Sequence, residues 1–177
     1  MLKSFGRRAI GCALLMLLSL LAFGGCGYSI VQEKGIMGGQ VVHLDVPVFK
    51  NKSFEPLVPE FFTEAFTREL ILSGLFEVNK GRSDSVLDGT IVNVRSVPTT
   101  LNKDGIATEK TVYVDLGLVL NKKGGTFIKN WVLGDSETYR AEPINVEDFN
   151  KRAALTRVAA RLARRFSVLV LTDIEKR

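Results

Sequence analysis

The chain has 177 residues, 46% of them hydrophobic and 24% charged, with 24 Lys and Arg against 19 Asp and Glu and a formal net charge of +5. That length gives one domain with a real core. The basic excess is concentrated in Lys3, Arg7 and Arg8; the remainder is only slightly positive, and generic nucleic-acid binding loses its electrostatic support.

Those three cations form a basic head, and residues 9–23 follow as an apolar run of about fifteen residues, the length of a secretory h-region. The run is short for a membrane span, which needs about 20 apolar residues, and it ends in Gly24-Gly25-Cys26. Leu20-Leu21-Ala22-Phe23-Gly24-Gly25-Cys26 is similar to the lipobox of bacterial lipoprotein signals, with Phe23 where Leu is usual. The resemblance implies that residues 1–25 are removed, Cys12 with them, and that Cys26 is acylated and becomes the first residue. An uncleaved signal anchor is the competing reading. A Cys26 sulfur held as a thioether forms no disulfide. With one cysteine inside the apolar leader and the other expected to carry lipid, one histidine and one lipidated cysteine cannot supply a zinc set, although carboxylates alone could bind calcium weakly. Gly27 stands where Asp would favour inner-membrane retention, which points to an anchor at the outer membrane, on its periplasmic side.

Residues 26–40, with Gly35, Gly38 and Gly39, read as a flexible tether ahead of a single domain over 41–177. In VVHLDVPVF, Val42, Leu44, Val46 and Val48 alternate with His43, Asp45, Pro47 and Phe49, the period of a strand buried on one face. Pro47 has no N–H, so this strand is an edge or is unpaired there. Pro59 fits the first turn of a helix that Gly74 ends. Val58, Phe62, Phe66 and Leu70 give its apolar stripe, and Glu64 and Arg68 an i,i+4 pair on the wet side.

Strands are predicted over 84–97, 106–120 and 126–139, joined by a loop at 98–105 and a tight NKKGG turn, an antiparallel meander. In the first, the apolar phase shifts after Ile91, and Gly89 is the expected site of a bulge. Val112, Val114, Leu116, Leu118 and Leu120 line one face of the second. In the third, Phe127, Trp131, Leu133 and Tyr139 share a face, as core or as partner interface. The last helix begins at NVEDFN with Asn145 as cap, and Leu155, Val158, Ala159, Leu162, Phe166 and Leu169 form its apolar face. The order predicts an α+β two-layer sandwich, a four-stranded, largely antiparallel sheet with two amphipathic helices on one face.

Chemistry-bearing constellations are sparse. His43 and Asp45 share a strand face but lack a nucleophile elbow or a second histidine, so no catalytic residues are assigned, and KGIMGG has no phosphate-loop spacing. No metal or cofactor is expected. Arg157, Arg161 and Arg164 read as a solvated face or a phosphate grip, and Lys122 and Lys123 as solvated turn residues or contacts to an anionic ligand.

The mature chain resembles the LPS-assembly lipoprotein family, LptE. Cys26-Gly27-Tyr28, VPVFKNKS with Phe49, Asn51 and Ser53, SDSVLDGTIVNV, VYVDLGLVL, a tryptophan strand ending at Tyr139 and a terminal amphipathic helix carry the likeness; Ser83 stands where alanine is frequent. The resemblance implies a noncatalytic, lipid-anchored plug inside a large outer-membrane β-barrel, LptD, that assists lipopolysaccharide translocation. Lys122 and Lys123 are then the candidates for touching lipopolysaccharide phosphates. Two other classes compete: a stand-alone envelope lipoprotein that binds a small ligand or acts as a periplasmic chaperone, and a hydrolase dependent on His43 and Asp45.

Overall fold

The computed structural model describes residues 42–74, 76–78 and 83–175; the expected signal and tether, with Cys12 and Cys26, lie outside the described residues. Among these, six strands and two long helices follow in the order β1 (Val42–Asp45), β2 (Lys50–Asn51), α1 (Val58–Ser73), β3 (Phe76–Val78), β4 (Ser85–Leu101), β5 (Ala107–Lys122), β6 (Phe127–Arg140) and α2 (Glu147–Glu175). A 3₁₀ turn, Ile144–Val146, precedes α2, and Asn145 lies inside it rather than capping the helix.

The α+β class holds, but the sheet is six-stranded and mixed where four largely antiparallel strands were expected. Its order is β3-β1-β4-β5-β6, with β2 also on β4. The meander β4-β5-β6 is antiparallel. β1 runs parallel to both β3 and β4, and β2 parallel to β4. The crossover through α1 explains the first pairing, because a helix returning across a sheet delivers the next strand in the same direction. At three residues, β3 is too short for periodicity to reveal.

The first predicted strand is interrupted, not continuous. Leu44 pairs with Ser85 and Lys50 with Thr90, so one side has one residue more than the other between these pairs, and Pro47 sits in the unpaired gap. The gap reverses the side-chain phase. Leu44 and Val46 are buried, but after Pro47 it is Phe49 that turns inward while Val48 is 65% exposed.

Gly89 has a different role from the expected bulge. A Cβ there would lie 2.4 Å from Cγ of Phe49, so the missing side chain lets the ring lie flat on β4. The bulge comes three residues later, where Ile91 opposes Leu116 and Asn93 opposes Asp115, leaving Val92 extra. β4 also runs on through Leu101, which shortens the expected loop at 98–105 to the turn around Asn102–Ile106. Pro98 is tolerated because β4 has no described partner on that side beyond Ile91.

Both helices cover the same sheet face. Val58, Phe62, Phe66 and Leu70 of α1 and Leu155, Val158, Ala159, Leu162 and Phe166 of α2 join the five inward residues of β5 in one core, with Leu169 packed at its margin. Phe66 stacks between Phe49 and Phe166, and Trp131 meets Phe166 edge-on at 5.0 Å. Each such fully buried side chain contributes roughly 1.5–3 kcal/mol. Trp131, Leu133 and Tyr139 are therefore core; Phe127 is exposed, because a register shift between Leu120 and Asn121 puts it on the other face. The capping features expected of α1 are present: Gly74 closes it at φ 66°, and Glu64 and Arg68 pair in solvent.

Candidate functional site

The two lysines singled out from the sequence lie together at the end where β1 begins. Gly124 and Gly125 both adopt positive φ, as the tight turn requires, and Lys122 and Lys123 are exposed beside them. The turn is fastened to the strands behind it: the Lys123 amide donates to the Asp84 carbonyl at 2.8 Å, and the Asp84 amide donates to the His43 carbonyl at 2.9 Å.

His43 and Asp45 do not form a pair with each other. In the parallel β1-β3 register His43 stands opposite Glu77, and its Nδ1 lies 3.3 Å from that carboxylate without hydrogen-bond geometry. The Ser85 hydroxyl is buried without a hydrogen-bond partner, but Ser85 pairs with Leu44 on the core face and His43 occupies the opposite face of the same strand. The hydroxyl and the imidazole therefore cannot exchange a proton directly. Among the described residues no cluster of His, Cys, Asp and Glu is arranged to hold a metal, and no helix is long and apolar enough to cross a membrane.

The arginine row is exposed, as a solvated face would be, but Arg157 and Arg161 are also paired with acids of β6. Arg157 Nε donates to Glu137 at 2.7 Å, and Arg161 donates to Asp135 and Glu137, each at 2.7 Å, and to the Ser136 carbonyl at 2.8 Å. Arg165 reaches the Gly134 carbonyl at 3.1 Å, Asn150 reaches that of Arg140 at 2.9 Å, and Arg164 lies 3.9 Å from Glu69 of α1. Partial burial pushes the Glu137 carboxyl up, but the hydrogen bonds from Arg157 and Arg161 outweigh it and hold the group below the usual glutamate range. Opposite charges 20 to 26 residues apart in the sequence thus meet as a seam between α2 and the outer edge of β6.

Two features had escaped the sequence. At the end of the meander, Ile106, Ala107, Ala141 and Ile144 line an open pocket of about 870 Å³, with Lys110, Arg140, Glu142 and Glu147 also in its wall. Lys110 donates to Glu147 at 2.6 Å, and that hydrogen bond raises the lysine above its ordinary value against the opposing effect of burial. Chain-distant residues build this pocket, so no local pattern announces it. The second feature is the segment between β2 and α1. Asn51 Oδ1 accepts from the amide and hydroxyl of Ser53 at 2.9 and 2.7 Å, and Asn51 Nδ2 donates to the Glu55 carbonyl at 2.8 Å. The Glu55 carboxylate is paired with Lys151 of α2, both largely buried. Phe54, at the tip, is 105% exposed. Its trace in the sequence is an aromatic beside a polar Asn-Lys-Ser run.

The lipopolysaccharide-assembly family LptE matches residues 41–167, which span the strands, both turns and most of α2. The chain belongs to the LptE family. No curated protein matches it. Solved structures that share the fold include the following three. A Caulobacter crescentus CB15 protein has 14% identity and a TM-score of 0.54, covering 73% of this chain and 92% of its own. Protein XCC0632 of Xanthomonas campestris has 11% identity and a TM-score of 0.53, covering 83% and 93%. A minor lipoprotein of Acinetobacter baumannii has 15% identity and a TM-score of 0.52, covering 75% and 93%. Family membership makes the chain a membrane-associated envelope lipoprotein of lipopolysaccharide assembly.

Proposed function

We propose that this protein is the noncatalytic partner of an LptD-type outer-membrane β-barrel, seated in its lumen and held at the periplasmic leaflet through acylated Cys26. Membership of the LptE family over residues 41–167 carries the reading. The charge economy of the fold supports it: Arg157 and Arg161 are engaged by Asp135 and Glu137, leaving a two-layer body in which, among the described residues, no cluster of His, Cys, Asp and Glu is arranged to hold a metal. A body of this kind complements a polar lumen by shape and hydrogen bonding. The anchor raises its effective concentration beside the barrel, and two or more acyl chains suffice for stable attachment. Lys122 and Lys123, exposed on the turn, are the proposed contacts to lipopolysaccharide phosphates.

Affinity purification of the chain from detergent-solubilised outer membrane tests this reading: a β-barrel should co-purify, and recovery of the chain alone sinks it. Mass measurement of the first peptide of the mature chain should show Cys26 at the N-terminus carrying acyl chains; a free thiol there removes the anchor. The pocket beside Lys110 and Arg140 favours a second reading, a stand-alone lipoprotein that binds a small apolar ligand. Saturable ligand binding by protein free of any barrel would support it.

A further inference from the structure

The segment that presents Phe54 is unusual in how much of it serves to keep one ring outside. Phe49 buries under the bare Cα of Gly89, and its amide donates to the Thr63 hydroxyl at 3.0 Å, which fixes the strand side of the loop. The Lys52 amide donates to the Ile91 carbonyl at 2.9 Å. Asn51 and Ser53 close the turn on themselves, and the Glu55–Lys151 pair ties its far side to α2. Leu57 completes the anchor on the helix side with φ 62°, a left-handed conformation costly for a leucine. Phe54 gains nothing from any of this within the chain.

Along this segment the charge is one-sided. Lys50 and Lys52 are exposed on the same segment and make no ion pair among the described residues, while its only carboxylate, Glu55, is taken by Lys151. A rigid aromatic carries large apolar area at small entropy cost on docking, and flanking cations select a partner of opposite sign.

We infer that Phe54, flanked by Lys50 and Lys52, is a docking finger that enters an apolar pocket rimmed by carboxylates on a protein partner. The inference rests on the reading of the chain as a barrel partner and adds the contact. Pre-organisation favours a protein pocket over a lipid surface, since a fluid bilayer rewards apolar area and charge without requiring a loop locked from both ends.

A photo-crosslinking amino acid at position 54 of the full chain, expressed in its native envelope, tests this. Irradiation should give an adduct with the co-purifying barrel. Adducts with lipid, with other proteins, or none at all while the barrel still co-purifies overturn the inference and leave the partner reading standing. Phe54→Ser should weaken barrel retention about 30-fold, as expected for an aromatic anchor, with Tm unchanged because the ring packs against nothing in the chain. Lys50→Glu with Lys52→Glu should slow association several-fold, an effect that disappears at high salt. Wild-type retention by Phe54→Ser also overturns it.

Discussion

The two long outer edges of this sheet are closed by different physics. Beyond Ile91, β4 has no described strand partner, and what blunts it is local: Pro98 withholds an N–H, Arg95 sets a charge there, and register shifts follow Ile91, Pro98 and Thr100. The outer edge of β6 is instead regular, and α2 guards it from a distance, with Arg161, Arg165 and Asn150 bonded to the carbonyls of Ser136, Gly134 and Arg140. An edge protected by its own residues is indifferent to the rest of the fold. An edge protected by another element is protected only while that element is docked.

The largest test of this contrast strikes where β2 covers the first half of the β4 edge. Gly89→Val should destabilise the protein by about 1–3 kcal/mol in urea unfolding, because its Cβ occupies the place of the Phe49 ring. Phe49→Ala in the same chain should recover part of that loss. Next, Arg161→Ala should cost about 1 kcal/mol, discounted because its side chain is 42% exposed, and should raise self-association in sedimentation velocity by freeing the β6 carbonyls.

Acid should act on the same edge. Glu137 titrates below the usual glutamate range when folded, so the stability it contributes is complete at neutral pH and is lost as pH falls from that range through the lower folded value. Removing Arg161 should flatten that part of the pH profile in denaturation midpoints measured across the acid range. Lys110 has the opposite sense: its raised value makes its contribution complete at neutral pH and lost as pH rises through the folded value. The smallest effect should come from Pro98→Thr, within about 0.5 kcal/mol of wild type, accompanied by a measurable rise in self-association. Greater aggregation in Pro98→Thr than in Arg161→Ala would reverse the comparison.

Regular patterns made much of this legible. The i,i+4 run Val58-Phe62-Phe66-Leu70, the strict alternation of Val112 to Leu120 and the paired glycines of the NKKGG turn each fix a local conformation, and each is present. Misreadings arose where a side chain's meaning depends on a residue far along the chain. Gly89 looked like a bulge because the ring it accommodates is forty residues earlier, and the pairing of the exposed arginine row left no local mark because its acids belong to β6. Parallel pairing of β1 leaves no mark in its own four residues. At the candidate site, the exposure of Lys122 and Lys123 followed from their turn, whereas the pocket at Lys110 required strands, a turn and a helix end to converge.

The position of β1 has a mechanical consequence. Tension that arrives at Val42, the first described residue, meets a strand bonded to β3 on one side and β4 on the other, both running in its own direction. A pull along that axis loads the flanking hydrogen bonds together in shear instead of peeling them one at a time, and the Lys123-Asp84-His43 relay shares the load with the next hairpin. The domain thus meets force from its leading segment at a clamp rather than at a fraying end.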